Sequence, residues 1–402
     1  MIAMGKVRRP SKIVWLGSLL AVGLAIAIAW LLSVLFAPPL ELFSPLGLLW
    51  RCPDSVRGNF TFSRDGQLLG YRTPDEFVVR WTKDGREVWR RKLPGHSFSF
   101  CVPLPSKDLV AIYHRGQKLL EFWQLRDGKV IKQLPLTVKG EVLEIHPSPD
   151  GQYLFVEMRG RLALYRTDDA RLIRFWSARD WDLQSVGQVA FDAKSQTIAL
   201  VTFQQFKKVR VQWRRLPDGA LLARWEIPFI PTSLSFSSDG CFLAIGGYQL
   251  PVRQGVNILP IPLYSHFLIL RLPKGQVVFR AKLKGVNYYL VRFSPNGRFL
   301  VTVGESLRLW RVGNWELISD RTFGRWLQLN LNWARMGWKP LISLISGIAY
   351  DPAFSPDGQF LAMWVRDGVD IDLGFWRQSR KDWVYLFCLS DEERQGVANA
   401  SK

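Results

Sequence analysis

Cysteine and histidine are both scarce in this sequence, which has four of each among 402 residues. The histidines form no HxH or HExxH pair, so their spacing predicts no metal site and indicates scattered structural positions. They are His96, His114, His146 and His266. The sequence also lacks a GxSxG turn, a phosphate-binding glycine loop and a calcium-binding loop of alternating acidic ligands. We therefore predict no catalytic residues, no metal ligands and no cofactor.

Acidic side chains are outnumbered, with 34 of them against 54 basic side chains, and the net charge is +20. This charge favours anionic partners over cationic ones. With 48% hydrophobic and 22% charged residues, the chain can bury a substantial core and does not have the composition of a disordered protein. Its length suits either several average domains or one large array of repeats.

Charged residues are absent from one long segment, residues 13–36. At about 1.5 Å per residue, a helix of this length spans a ~30 Å hydrocarbon layer, so we predict one transmembrane helix there. Residues 1–12 contain basic but no acidic side chains. This charge bias places the amino end in the cytoplasm and the rest of the chain on the extracytoplasmic side.

A cleaved signal peptide is the competing interpretation of residues 13–36. The apolar run is long for a signal peptide, and Pro38 directly after Ala37 is a poor cleavage context. We therefore favour an uncleaved signal anchor, followed by a linker over residues 37–56.

A short pattern, Phe-Ser-x-Asp or Asn-Gly, recurs along the remaining chain. Full copies begin at Phe62, Phe236, Phe293 and Phe354, with partial or weaker copies at equivalent positions 104, 147 and 191. In each copy an apolar strand enters a tight turn, where Asp or Asn and Gly accept the required backbone angles, and a second strand follows.

A third strand ends about twenty residues further on in an aromatic or large apolar residue, and a turn and a fourth strand follow it. These residues are Trp81, Trp123, Tyr165, Trp213, Leu270, Trp310 and Trp376. Four strands in about 43 residues is the period of a propeller blade.

Over residues 57–390 the sequence therefore resembles the WD40 or YVTN-like β-propeller family. It is a divergent member, because no repeat has Asp after the third-strand aromatic residue and only Gly95-His96 matches the family's Gly-His pair. The resemblance implies an all-β, seven-bladed β-propeller preceded by the transmembrane helix and followed by a polar tail over residues 391–402. It indicates a fold and leaves the function open.

Ring closure in such a fold could bring Cys52, before the first repeat, near Cys388, in the last. An extracytoplasmic location would permit a disulfide between them, although a chain of this length does not need one. Cys101 and Cys241 are expected to be buried as small hydrophobic side chains.

Two repeats are longer than the others, by insertions within residues 249–266 and 321–347. Both connections are expected on the same face of adjacent blades, and long connections on a rigid scaffold often bind partners. The second insertion fits either an extra strand or a helical face, and it either caps the blade junction or contacts a partner or membrane surface. Its candidate partner-binding residues are Arg325, Trp326, Trp333, Arg335, Trp338 and Lys339.

Arginine follows the third-strand position in five repeats, and repeat geometry should place these residues on one rim. They are Arg166, Arg214, Arg271, Arg311 and Arg377. They form either a basic ring for lipid head groups, wall polymers or acidic partners, or local pairs with acidic turn residues such as Asp168 and Asp218.

Together these features predict a single-pass membrane protein whose extracytoplasmic propeller is a noncatalytic protein-interaction scaffold. The membrane would be contacted through residues 13–36, and the partner would be an unidentified protein or an anionic envelope component. The alternatives are an enzyme or small-ligand sensor that uses the central channel, and direct binding of anionic lipid or wall polymer. The predicted topology disfavours a nucleic-acid role.

Overall fold

The computed structural model describes residues 47–389, with gaps at 57–58, 94–99, 138–139, 178–180, 182–184, 205–207, 250–263, 285–289, 305, 323–325, 331–340, 346–347, 368, 373–376 and 379–380. Within this part of the chain, no helix is long and apolar enough to cross a membrane. The predicted transmembrane segment 13–36, the basic residues 1–12 and the polar tail 391–402 lie outside the described residues.

The described chain forms eight antiparallel sheets of four strands each, and seven of these sheets are the blades of a propeller. The prediction of an all-β, seven-bladed propeller is confirmed. Each blade runs from an inner first strand to an outer fourth strand, and the first strands of most successive blades contact one another around the centre.

The strands follow the chain in a regular order. The chain begins with β1 (Leu48–Cys52), and blade one comprises β2 (Thr61–Phe62), β3 (Leu68–Arg72), β4 (Glu76–Trp81) and β5 (Glu87–Lys92). Blade two comprises β6 (Phe100–Leu104), β7 (Leu109–His114), β8 (Leu119–Gln124) and β9 (Val130–Pro135), with a short 3-10 helix at Pro105–Lys107. Blade three comprises β10 (Val142–Pro147), β11 (Tyr153–Met158), β12 (Arg161–Arg166) and β13 (Leu172–Ser177). Blade four comprises β14 (Ser185–Phe191), β15 (Thr197–Gln204), β16 (Lys208–Arg215) and β17 (Leu221–Ile227).

Blades five to seven continue this order with insertions. Blade five comprises β18 (Ile230–Phe236), β19 (Phe242–Gln249), β20 (Tyr264–Arg271) and β21 (Gln276–Lys284). Blade six comprises β22 (Leu290–Phe293), β23 (Phe299–Val303), β24 (Ser306–Arg311) and β25 (Leu317–Thr322). The eighth sheet comprises β26 (Trp326–Asn330), β27 (Leu341–Ile345), β30 (Val369–Asp372) and β31 (Arg377–Gln378). Blade seven comprises β28 (Ile348–Phe354), β29 (Phe360–Asp367), β32 (Lys381–Cys388) and the amino-terminal strand β1.

The recurring Phe-Ser-x-Asp-Gly pattern forms the turn between the first two strands of a blade. In blade five the Ser237 hydroxyl donates to the Asp239 carboxylate at 2.5 Å and accepts the Phe242 amide at 2.9 Å. Gly240 has a φ of +71°, which glycine adopts at little cost. The motif therefore occurs in the sequence because each of its polar residues satisfies the backbone of this turn.

The hydrophobic core is distributed around the ring. Each of seven apolar clusters joins two neighbouring blades. Between blades seven and one, for example, Val384 and Leu386 pack with Leu69 and Val78. Blade-to-blade packing is thus the main apolar contact, and every blade depends on both neighbours.

Tryptophans on outer strands add a second contact between blades. Trp50, on β1 of blade seven, lies against Gly85 in the last turn of blade one, and its Nε1 donates to the Thr82 carbonyl oxygen at 2.7 Å. Trp89 makes the same contact from blade one to blade two, against Gly128. The ring of contacts therefore closes through a residue of the amino-terminal strand.

Residues 48–52 fall within the segment 37–56 that we predicted as a linker, and they form the outer strand of blade seven. Leu48 pairs with Phe387 and Cys52 with Val384, so β1 completes the last blade. The chain then continues into blade one, where Asp54 accepts hydrogen bonds from Tyr71 (2.5 Å) and Arg80 (2.9 Å). One short segment therefore links the last blade to the first.

All four cysteines are free thiols. Cys388 donates its amide hydrogen to Gly47, whereas Cys52 lies at the other end of β1, so the antiparallel register separates the pair that ring closure was expected to join. Cys241 is exposed, contrary to our prediction, because it directly follows the turn at Gly240.

The insertion after blade six forms part of the eighth sheet. β26 pairs with β27, so this part of the insertion is a strand and the helical alternative is wrong. β27 in turn pairs with β30, which lies between the second and third strands of blade seven. Blade seven therefore contains an insertion between its second and third strands. The repeat spacing in the sequence did not reveal that this segment lies outside the blade.

Candidate functional site

Three of the predicted rim arginines occupy equivalent positions at the end of a third strand. Arg166, Arg271 and Arg311 each pair with the first residue of the second strand of their blade. All three are exposed, on the face where the hairpin turns project. Arg311 also lines a shallow depression beside Arg298 and Phe299.

Arg214 lies one residue before the equivalent position in blade four and is buried, with 8% of its surface exposed. Its guanidinium stacks over Trp181 at 4.3 Å from the ring centroid and donates to the Gly219 carbonyl oxygen at 2.7 Å. Burial lowers the pKa of Arg214 to about 10. The rim position belongs to Arg215, because Thr197 pairs with Arg215 and Ile198 with Arg214.

Arg377 lies in β31 of the eighth sheet, where its backbone pairs with Asp372. It is therefore not part of a blade. In blade seven the third strand is β32, and Phe387 pairs with Leu361 as Trp310 pairs with Leu300 in blade six. Phe387, and not Trp376, is thus the third-strand aromatic residue of the last repeat.

Three of the rim arginines, Arg166, Arg215 and Arg311, lie close to acidic residues of their own turns. Arg166 binds Asp169 through two hydrogen bonds, and Arg215 binds Asp218 at 2.6 Å. The hydrogen bonds from these arginines lower the pKa of Asp169 and of Asp218. Arg311 lies 3.5 Å from Glu316. At these three positions the rim therefore carries both signs of charge.

Of the candidate residues in the insertion, Trp326 is the first residue of β26 and its backbone pairs with Ile345. Arg325, Trp333, Arg335, Trp338 and Lys339 lie outside the described residues.

The outer strand of every blade contains a β-bulge at the same place. In blade three, Tyr165 pairs with Leu172 and Leu164 pairs with Arg174, so Ile173 is the extra residue. The same register shift occurs in the other six blades. We call the seven extra residues the bulge belt: Leu49, Val88, Ile131, Ile173, Leu222, Val278 and Ile318.

The bulge belt is apolar in every blade and much of it faces solvent. Ile131 is 54% exposed, and the other large exposed members are Leu49, Ile173 and Leu222. The residue before the bulge is also exposed and aliphatic in blades three to six, at Leu172, Leu221, Val277 and Leu317. Sequence reasoning missed this surface, because two adjacent aliphatic residues at a strand start imply that one of them faces inward. The bulge removes that alternation.

Two glutamates and a histidine meet at the inner edge of blade three. Glu144 and His146 are two residues apart on β10 and so share a side, and Glu157 on β11 pairs directly with Glu144. One potential ligand atom of each lies within 4.8 Å of the other two, and His146 Nε2 is 3.8 Å from Glu144 Oε2. His146 pairs with Phe155, which packs on blade four, so the cluster faces blade four.

The two buried members of this cluster have no hydrogen-bond partner within the described part of the chain. Glu157 is 8% exposed and has neither a hydrogen bond nor an ion pair within the described part of the chain. His146 Nε2 is fully covered and has no hydrogen-bond partner among the same residues. Burial, and then the charge of Glu144, raises the pKa of Glu157 to about 8. Burial lowers the pKa of His146, which the charge of Glu144 opposes.

A second histidine and glutamate lie together in blade two, and there the carboxylate is satisfied. His114 Nε2 is 3.2 Å from Glu121, which also accepts hydrogen bonds from Trp123 at 3.1 Å and Gln133 at 2.6 Å. Burial would raise the pKa of Glu121, but the hydrogen bonds from Trp123 and Gln133, together with the nearby His114, outweigh it and lower the pKa. This pair is a structural contact.

Comparison of the chain with models of known protein families and with curated proteins finds no match. The class of the protein is therefore defined by its fold. It is a seven-bladed β-propeller, consistent with a WD40-like repeat fold.

Proposed function

We propose that the protein is a membrane-anchored, extracytoplasmic scaffold that binds a protein partner and catalyses no reaction. The anchor and the topology rest on the uncharged segment 13–36 and on the basic residues that precede it. The binding of a partner rests on one observation, the apolar bulge belt on the outer strands.

The outer strands are the free edges of the blades, and proteins protect such edges with charged residues or bulges. Here each outer strand has a bulge, but the bulged residue is aliphatic. The edge of the blade therefore exposes apolar surface. Ile131, Ile173 and Leu222 repeat this feature in consecutive blades, so their side chains recur along the circumference. Where adjacent aliphatic residues are exposed together, as at Leu172–Ile173 and Leu221–Leu222, they form apolar patches of the kind that mark protein-binding surfaces.

The charges beside the belt favour a protein over a polyanion. Arg166 and Arg215 are each paired with an acidic residue, so the neighbouring rim has both signs of charge. A polymer of phosphate or sugar acids gains affinity mainly from unpaired cations. A protein partner can use both the aliphatic side chains and the mixed charges.

Substitution of two belt residues tests this proposal. The change is Ile173→Lys combined with Leu222→Lys, which places charge on the belt of blades three and four. The matched control is Leu143→Lys, because Leu143 is a similarly exposed aliphatic residue but lies on the inner strand β10. Crosslinking and affinity capture from native membranes should lose one defined protein with the belt variant and retain it with the control. Equal capture by both variants would contradict the proposal.

The insertion provides a second proposed contact, through Arg325, Trp326, Trp333, Arg335, Trp338 and Lys339. Since β26 and β27 pair with each other and with β30, a replacement should spare these strands. A Gly-Ser segment in place of residues 331–340 should reduce capture of the same partner if the insertion contributes to binding. Unchanged capture would restrict the interface to the belt.

An enzyme or small-ligand sensor is the alternative function, and the cluster of Glu144, His146 and Glu157 on the inner strands favours it. Direct binding of anionic lipid or wall polymer is the other alternative. Sedimentation with anionic vesicles at low and high salt distinguishes it, because electrostatic lipid binding falls steeply with salt, whereas apolar protein docking does not.

A further inference from the structure

We propose that Glu144, His146 and Glu157 bind a divalent transition-metal ion at the inner edge of blade three. The site rests on the position and surroundings of these side chains and does not depend on the scaffold function.

The β-sheet register brings the three side chains together. Residues two apart on a strand point to the same side, and directly paired residues on neighbouring strands share that side. Glu144 and His146 satisfy the first condition, and Glu144 and Glu157 satisfy the second. The three potential ligand atoms therefore converge on one point between the strands and blade four.

The distances suit metal coordination after a small side-chain adjustment. Ligand bonds of about 2.0–2.2 Å place neighbouring ligand atoms roughly 3–3.5 Å apart. The present separations are at most 4.8 Å, and His146 Nε2 and Glu144 Oε2 are 3.8 Å apart. Glu144 is 53% exposed, so its side chain is free to rotate toward the other two.

The buried members of the cluster need a partner that the described residues do not provide. A buried carboxylate is normally paired with a cation or hydrogen-bonded, and a buried imidazole nitrogen is normally hydrogen-bonded. Glu157 and His146 Nε2 meet neither condition within the described chain. In the comparable pair of blade two, Trp123 and Gln133 satisfy the carboxylate.

The chemistry of the ligands selects the class of metal. As ligands, two deprotonated carboxylates supply a charge of about −2, which a divalent cation neutralises. An imidazole ligand disfavours Mg²⁺ and Ca²⁺, which prefer oxygen ligands alone, and favours Zn²⁺, Co²⁺ or Mn²⁺. Three protein ligands leave a coordination position open, and the exposure of Glu144 gives solvent or a small ligand access to it.

Metal binding to the full-length chain tests the site. After treatment with a chelator and dialysis, the protein is titrated with Zn²⁺ in a calorimeter, and Co²⁺ is added separately to record its d–d absorption. We expect one high-affinity ion per chain, Co²⁺ bands typical of mixed nitrogen and oxygen ligands, and an increase in Tm with Zn²⁺. Glu157→Gln and His146→Gln should each weaken Zn²⁺ binding by at least about tenfold and remove the increase in Tm.

Two further variants keep the test decisive. Glu144→Gln changes a half-exposed ligand, so it should weaken binding without loss of fold even if a buried substitution disrupts blade three. His266→Gln is the control, because His266 stacks on Phe229 and has basic rather than acidic neighbours. It should leave the Zn²⁺ affinity unchanged within about twofold. The proposal is overturned if Zn²⁺ and Co²⁺ fail to bind stoichiometrically, or if the three cluster variants bind as tightly as the control.

Discussion

Polar side chains hold the amino-terminal segment against blade one, and Asp54 is the central residue of this contact. Tyr71 and Arg80 donate hydrogen bonds to its carboxylate, and Arg90 lies 3.6 Å from the other oxygen. Burial acts to raise the pKa of Asp54, but the bonds from Tyr71 and Arg80 outweigh it and hold the pKa below its usual value. The unfolded chain therefore binds a proton more readily than the folded protein does.

The stability that this carboxylate contributes is complete above its unfolded pKa of about 3.9 and is lost as the pH falls through the folded value. Asp54→Asn should lower the free energy of unfolding by about 1–3 kcal/mol at pH 7, because Tyr71 and Arg80 lose the ionised acceptor to which both donate. It should also flatten the decrease in stability below about pH 4. Urea unfolding at pH 7, 4 and 3 measures both effects. Asp320→Asn is the control, since its pair with Arg308 is more exposed, and an equal loss in the two variants would contradict a special role for Asp54.

For single residues, the sequence predicts which residue types occupy a repeated site better than it predicts which neighbouring residue lies at that site in the structure. Arg214 and Arg215 are adjacent and chemically identical, and only the pairing with Ile198 or Thr197 determines which one is buried. Glu144 and His146 are two residues apart, so in a β-strand their side chains lie on the same side of the sheet. Glu157 joins them only through the register of the next strand. A search for linear metal motifs therefore could not find the cluster.

Among the structural elements, the turns were the most predictable, because their residues act locally. Gly85 shows that a turn glycine can also leave space for a side chain that is distant in the sequence. Its φ is +71°, and a Cβ atom at this position would lie 2.7 Å from the Trp50 ring. Gly240 has the same φ, but no described atom lies within 4 Å of a Cβ there.

This pair separates backbone strain from loss of packing. Gly240→Ala should cost about 1 kcal/mol, which is the penalty for an L-residue in the left-handed region. Gly85→Ala should cost about 2–4 kcal/mol, because displacement of the indole adds an overpacking penalty of about 1–3 kcal/mol. Chemical unfolding of the two variants measures the difference. Equal costs would show that the Trp50 contact contributes nothing.

The bulges and the eighth sheet were not predictable at this scale, for two physical reasons. A bulge changes the side that one residue faces without changing the composition of the strand, so Ile173 and Leu222 resembled ordinary strand residues. In blade seven, Trp376 matched the expected third-strand residue although it follows β30 of the inserted sheet. The true third-strand residue, Phe387, lies eleven residues later, and only the pairing of β32 with β29 identifies it.

For the whole molecule, the repeat period predicted the number of blades because each blade is a local unit of four consecutive strands. The way in which the ring closes is a different kind of property. It depends on a pairing between β1 and β32, which are at opposite ends of the propeller sequence. No repeat pattern marks residues 48–52, so the segment resembled a linker.

Ring closure by β1 makes a prediction that distinguishes it from ordinary packing between blades. Trp50 and Trp89 each lie over a turn glycine and donate to a carbonyl oxygen at 2.7 Å. Either residue changed to Ala should cost about 2–3 kcal/mol, because similar indole contacts are lost. Only Trp50→Ala should release a strand that is not joined to its partner strand by a hairpin.

Hydrogen exchange measures this difference directly. In Trp50→Ala the amides of β1 and of its partner β32 should exchange faster than the rest of the propeller, because local opening there no longer needs global unfolding. In Trp89→Ala the increase should be spread over blades one and two, since β5 is held within its own hairpin. Equal and uniform exchange in both variants would show that β1 is no weaker than the other outer strands.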